Sequence, residues 1–401
     1  MIRTTPFHDR LHTLNETGLY LQWSGYLSAL KYQASEKFEY FAVRNAAGII
    51  DTSPLYKYRI TGPDAEAFLA GVLTRDIRAC ADGQAQYTLW CDDQGHVVED
   101  GVVFRHSSDH FLLTAAEPNL AWFQARVGRA RVAIEDVSEQ YGSLAVQGPR
   151  SRAILASLAP EVGPLGFFHH ASGTIGGAGV QVSRTGYTGD LGYEVWVERD
   201  DALRVLGAIE EASAGQGVIP VGQLALLMLR IEAGLVLIDV DFHSSRFAFT
   251  AEERITPTEL GFGWMVKDAA TTERAFVGRD AIRRELAGST SRWRSVGLVV
   301  DWKAWDEQYR AHGLIPPKDW TPVTWEMMLY DEAGERVGYT TSFMYSPVLQ
   351  RHIAMARVRP QYGAVGTTVQ LEVTIDHRYE TVPATVARPP LFNPSRKTAS
   401  A

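Results

Sequence analysis

Cysteine is scarce in this chain: Cys80 and Cys91 are the only two in 401 residues. They could pair in principle, but one pair makes no disulfide framework, and the scarcity points to a reducing compartment. There is no CxxC and no HExxH, which leaves zinc with little support. A GxGxxG after a strand and a GxxxxGK[ST] are also lacking, so nucleotide cofactors held by those loops are disfavoured. Positive charge is in deficit, with 39 Lys+Arg against 47 Asp+Glu and a net charge of −8. No run of like charge occurs, so neither a duplex-binding surface nor a charged tail is expected. The most apolar stretch, Val218 to Val240, contains Arg230, Glu232 and Asp239. Those charges are costly in lipid and ordinary in a buried helix. The first residues, Met1 to Pro6, lack the apolar core of a signal peptide. These absences predict a soluble, cytoplasmic protein with no nucleic-acid or membrane partner.

What is present is a chain 45% hydrophobic and long enough for two or three domains. Val43 to Ile50 reads as a helix end closing at Gly48. Tyr56 to Ile60 alternates like a half-buried strand, and Pro63 to Leu73 resembles a helix. A strand meander follows over Ala85–Cys91, His96–Arg105 and His110–Thr114, with a turn at Asp92–Gly95. Pro118 to Val127 is helical by period. A second cycle has strands at Ser143–Gln147, Gly179–Thr185 and Tyr193–Val197, and helices at Pro149–Leu158, Asp201–Ser213 and Val221–Leu235. Without regular βαβ spacing, this mixture predicts α+β. Beyond about Ser295 short strands dominate and predict a small all-β domain. Five of the ten tryptophans fall there or just before it, between Trp293 and Trp325. Packing of that domain is the plain reading of them, and a substrate-facing lid is the other.

Two carboxylates stand out. Asp100, within Val97 to Phe104, shares a strand face with Val98, Val102 and Phe104, so it lies at a sheet edge or lines a pocket. In a pocket, desolvation would raise its pKa and suit it to proton transfer. Glu194 follows Ser183-Arg184-Thr185-Gly186-Tyr187-Thr188-Gly189-Asp190-Leu191-Gly192, whose glycines permit close backbone approach to a ligand. A carboxylate there can hold a planar pair of N–H donors through two parallel hydrogen bonds, and an exposed hairpin Glu is the alternative. Arg230 and Glu232 in an apolar segment read as a structural ion pair or cap. His169 and His170 are adjacent, so they point apart and make a poor metal clamp.

Taken in order, these segments resemble the aminomethyltransferase family of the glycine cleavage system T-protein. The markers are VRNAAGIIDTS (Val43–Ser53), ITGPDAEAFL (Ile60–Leu69), LTRDI (Leu73–Ile77), QGPRS (Gln147–Ser151), SRTGYTGDLGYE (Ser183–Glu194) and LRIEAGL (Leu229–Leu235). TPTELGFGWMV (Thr256–Val266), FVGRDA (Phe276–Ala281) and VGYTTS (Val337–Ser342) complete the series. The resemblance implies a three-domain α+β cloverleaf around a tetrahydrofolate site, with a small C-terminal β-barrel or jelly-roll-like domain. It divides the chain into 1–54 plus 152–250, then 55–151, a connecting segment 251–294, and 295–401. By the same resemblance Asp100 lies beside folate N5 and is catalytic, and Glu194 recognises the pterin. Tyr87, Phe168 and Tyr187 match positions near the folate.

Departures from the family pattern fall where donor or carrier would enter. Pro54-Leu55 replaces a His-Met pair, Glu99-Asp100 replaces paired aspartates, and Leu226 stands where an arginine is expected. Ser342-Phe343-Met344-Tyr345-Ser346-Pro347 lacks the usual Gly-Thr. Segments 242–255 and 301–322 are longer than in the T-protein. The expectation is therefore a tetrahydrofolate-dependent one-carbon transferase and T-protein paralogue, moving a methyl group from a small S-, O- or N-methyl donor to N5. The alternatives are an aminomethyltransferase served by a lipoyl carrier, a non-catalytic folate-binding protein, and a transferase fed from N-methylglycine-type donors. No metal or redox cofactor is expected.

Overall fold

A computed structural model describes residues 2–317 and 320–400. Two sheets and a barrel form its frame. The first sheet has the strand order His170–Ile175, Ala178–Ser183, Gly192–Glu198, Tyr141–Gln147, Ala47–Asp51, Val218–Pro220, antiparallel except for the last pair. The second is antiparallel, in the order Ala85–Cys91, Val97–Ser107, His110–Ala115, Tyr56–Thr61, Ala133–Asp136. Six antiparallel strands between Arg294 and Ala387 close the barrel. The α+β class and the C-terminal barrel are as expected. No helix of the described residues is long and apolar enough to cross a membrane. Cys80 and Cys91 are both free and buried.

Several local readings change. Gly48 does not end a helix: the helix Glu36–Asn45 stops earlier, and Gly48 lies in strand Ala47–Asp51. A Cβ there would meet Val221 Cγ2 at 2.5 Å and Val43 Cγ2 at 2.7 Å, so glycine lets the strand pass between two valines. Segment 141–147, assigned above with 55–151, pairs instead with the first sheet because its apolar face joins Ile49 and Val195. The helix expected over Pro118–Val127 shortens to Leu120–Gln124. Chain beyond 387 reaches across from the barrel to helix Gln223–Ala233, where the Leu391 and Phe392 amides donate to the Glu232 carbonyl at 2.9 Å.

Helices Glu36–Asn45 and Gln223–Ala233 pack together over a core drawn from both sheets, the barrel and the 255–282 segment. A buried ionic hub crosses this junction. Glu232 accepts from Tyr40 Oη (2.5 Å), Ser346 Oγ (2.6 Å) and Arg44 Nη2 (2.5 Å). Arg44 also pairs with Asp190 at 3.1 Å, and Arg396 reaches Asp190 at 2.6 Å. Both residues are thus in structural ion pairs, but not with each other: Glu232 pairs with the distant Arg44 and Arg230 with Asp241.

Breaking a buried pair strands its remaining charges, at about 3–5 kcal/mol. Arg44→Met should therefore lower the urea-unfolding free energy by about that amount, and a loss below about 1 kcal/mol would refute the hub's structural role.

Candidate functional site

Strand Val97–Ser107 carries an irregularity that sets the site. Cys91 opposes Val97 but Trp90 opposes Glu99, so one extra residue is accommodated at Val98. Val97 therefore packs in the central core with Leu89 and Cys91, and Val98 turns to the opposite side with Trp90 and Val103. This corrects the expectation that Val98 shares the face of Asp100. Glu99 and Asp100 point to opposite sides with different tasks. Glu99 is buried and accepts the backbone amides of Ala116 (2.5 Å) and Glu117 (2.9 Å) and the side-chain amide of Asn119. It holds a loop.

Asp100 is half-buried on the face of Leu89 and Tyr87. Burial pushes its carboxyl up to about 6; the Tyr87 hydroxyl, donating to Asp100 Oδ2 at 2.9 Å, pulls the other way, and Asp241 adds to the rise. Tyr87 meets Phe262 edge-on at 5.5 Å. Tyr187 donates its hydroxyl to the Val236 carbonyl and borders the same core as Tyr87. Burial raises both phenols, and each feels the charges of Asp100 and Asp241. Tyr87, Asp100 and Tyr187 are thus brought together.

Phe168 packs instead with Ala85, Phe104 and Trp196, at a backbone position that favours glycine (φ 60°). Its carbonyl takes the Ala85 amide at 2.8 Å, which fixes it against the edge of strand Ala85–Cys91. Glu194 stands on the first sheet, on the face of Trp196 and opposite Tyr193, Val195 and Val197, as the alternation predicts. Its Oε2 accepts the Thr185 hydroxyl, and Oε1 has no hydrogen bond among the described residues. Burial raises the Glu194 carboxyl, against hydrogen bonding from Thr185 and the charge of Lys57. Oε1 is the acceptor left for a further donor.

The glycines of the preceding turn serve the protein itself. A Cβ on Gly186 or Gly192 would meet the Gln147 side chain at 2.1 or 2.3 Å. Gln147 fills that space, donating to the Thr185 and Tyr193 carbonyls and accepting from Thr188 Oγ1 at 2.7 Å.

Sequence reasoning missed two charged residues. Lys57 lies on the polar side of an alternating strand yet is fully buried, because that side packs toward Trp196. Its ammonium donates to the Ser53 and Leu55 carbonyls at 2.8 and 2.7 Å, and burial drops its pKa to about 7. Asp241 is paired with Arg230 and takes the Leu237 amide at 2.8 Å, linking helix Gln223–Ala233 to the site. No signal in the sequence marked it.

The 242–255 segment is clasped at Val97: the Ser245 amide donates to the Val97 carbonyl at 2.9 Å, and the Val97 amide to the Ile255 carbonyl at 2.8 Å. In the 301–322 segment, whose residues 318 and 319 lie outside the described residues, Trp305 enters the barrel core. Trp320 packs on Phe41 and Tyr345. Two concave features of the surface, one at Thr5, His12 and Asp51 and one at Tyr330, Glu372 and Tyr379, lie elsewhere. No group of three or more His, Cys, Asp or Glu among the described residues could hold a metal ion.

Comparison with known proteins gives a consistent family. The GCVT N-terminal domain model matches residues 7–269, and the glycine cleavage T-protein C-terminal barrel domain model matches 310–393. An aminomethyltransferase of Caldanaerobacter subterraneus subsp. tengcongensis is 30% identical over 386 residues, covering 92% of this chain and 94% of that one. A trimethylamine-oxide aldolase of Ruegeria pomeroyi is 31% identical over 411 residues, covering 99% of this chain. The chain spans about half, 48%, of that relative's length. The crystal structure of glycine cleavage system aminomethyltransferase T from Bartonella henselae superposes with a TM-score of 0.80 at 23% identity, covering 98% of this chain and 99% of that one. That likeness is one of fold.

Asp100 holds a proton more readily folded (about 6) than unfolded (about 3.9). Its contribution to stability is therefore fullest below about pH 4 and is lost as pH rises through about 6. Asp100→Asn should gain on the wild type by about 1–3 kcal/mol between pH 4 and pH 8 in unfolding experiments. A difference independent of pH would show that the carboxyl is not desolvated.

Proposed function

The chain belongs to the glycine cleavage T-protein (aminomethyltransferase) family, and on that premise we propose that it is a tetrahydrofolate-dependent one-carbon transferase with Asp100 as its proton-handling group. The observation that carries this reading is the Asp100 carboxyl itself, held near pKa 6 beside the Tyr87 hydroxyl and within the field of Asp241. At pH 7 such a group is mostly anionic, yet basic enough to take a proton. Folate N5 is a neutral amine that becomes cationic as it bonds to an incoming carbon. Asp100 stabilises that charge and accepts the N5 proton, and Tyr87 holds the carboxylate in place. Glu194 Oε1 orients the pterin through its N–H donors, and Phe168 and Tyr187 bound the ring.

The donor is read first as an aminomethyl group on a lipoyl carrier, since the relative that matches nearly end to end bears the name aminomethyltransferase. The carbon then bridges N5 and N10 as its bond to nitrogen breaks to release ammonia and its bond to sulfur breaks to return the carrier's thiol. The second reading is methyl transfer to N5 from a small methylated donor. It is favoured by the clasped 242–255 loop, three residues along the strand from Asp100, and by Pro54-Leu55 where the family pattern has His-Met.

Mass analysis of the folate product decides between them. Methylene-tetrahydrofolate formed only with aminomethylated carrier supports the first reading, 5-methyl-tetrahydrofolate formed with a methyl donor supports the second, and neither product with any donor sinks both. Asp100→Asn should slow turnover at least about 100-fold while leaving folate affinity within about threefold. An unchanged rate would remove Asp100 from the chemistry.

A further inference from the structure

Arg75 is a cation without an acid. Arg44, Arg105 and Arg230 pair with Glu232, Glu66 and Asp241, while the buried Arg184 and Arg357 spend their guanidinium N–H groups on several backbone carbonyls and the Tyr339 hydroxyl. Among the described residues Arg75 forms no ion pair, and its one side-chain hydrogen bond runs from Nη1 to the Tyr87 carbonyl at 2.9 Å. Its guanidinium lies over the Trp264 indole, 5.1 Å from the ring centroid, and Trp264 is 52% exposed. Burial lowers the Arg75 pKa, and no carboxylate is close enough to offset that. A half-desolvated guanidinium is costly when uncompensated, and its planar fork is shaped for a carboxylate.

Its position ties it to the site. Strand Ala85–Cys91 is the edge of its sheet, and its open side is held by the Phe168 carbonyl at Ala85 and by Arg75 at Tyr87. From that same residue the Tyr87 side chain runs to Asp100. Arg75 and Asp100 therefore stand at the two ends of one tyrosine, each joined to it by a hydrogen bond. From N5 to its tail, tetrahydrofolate runs through a methylene-amine bridge, a benzoyl ring and an amide, a span of the same order.

We propose that Arg75, laid on Trp264, receives a carboxylate of the glutamate tail of tetrahydrofolate when N5 lies at Asp100. This rests on the folate reading above. Trp264 shields one side of the guanidinium from water, so that the pair forms in a medium less polar than bulk solvent.

The test measures dissociation constants of the full chain for tetrahydrofolate and for its bis-amide, in which both tail carboxylates are neutral. The wild type should prefer tetrahydrofolate about tenfold, the worth of one charge-assisted pair. Arg75→Gln should bind both at the bis-amide level, and Arg75→Lys, which keeps the charge without the fork, should recover part of the preference. Equal loss of both ligands in Arg75→Gln would mark a structural residue and overturn the proposal. If the wild type binds neither ligand, the folate reading fails. If the wild type discriminates and Arg75→Gln discriminates equally, only the Arg75 assignment fails. A raised donor KM with folate discrimination intact would place a donor carboxylate at Arg75 and likewise overturn the tail assignment.

Discussion

One buried carboxylate has to be satisfied from three directions at once, and the arrangement of the molecule follows from that. Glu232 sits with no solvent access, so every lone pair it carries must find a donor within the protein. The donors come from helix Glu36–Asn45, from Ser346 at the end of a barrel strand, and, through its backbone carbonyl, from the chain beyond the barrel. Arg44 then needs a second acid, and Asp190 supplies it from the turn that leads to Glu194. A hydrophobic interface alone would tolerate sliding, whereas a desolvated ion pair holds only in one register. The sheet bearing Glu194 and the helix leading to Asp241 are fixed relative to the barrel by this chemistry.

The site above that hub is built from polar groups taken out of water. Burial is the largest influence on Asp100, Glu194, Lys57, Tyr87 and Tyr187 alike, and it drives each toward its neutral form. The two sheets meet where Trp196, on the strand face of Glu194, packs edge to face on Phe104 at 5.6 Å.

Much of the frame was legible. Strand Ala85–Cys91 has the bounds the meander pattern gave it, and most other strands fall within a few residues. The role of Gly48 was not legible, since a glycine required by Val43 and Val221 looks locally like a glycine that ends a helix. Nor was the burial of Lys57: its strand alternates as though one side were wet, and only the second sheet makes it dry. Asp100 and Glu194 were visible as carboxylates in apolar or glycine-rich company. Arg75 and Asp241 owe their importance to neighbours about ten residues away or further, which no local window contains. The glycine-rich turn was read as room for a ligand, but the room is filled by Gln147.

The clasp at Val97 has a further consequence. Both backbone hydrogen-bonding groups of one strand residue are spent on the two ends of the same loop, so the loop leaves and returns at a single point. Closing such a loop costs only about 0.6 kcal/mol more for each doubling of its length. Residues between the two bonds can therefore be inserted, deleted or exchanged while the strand, and Asp100 three positions further on, stay where they are. The fold thus separates a fixed strand from a freely revisable loop, and one valine is the seam between them.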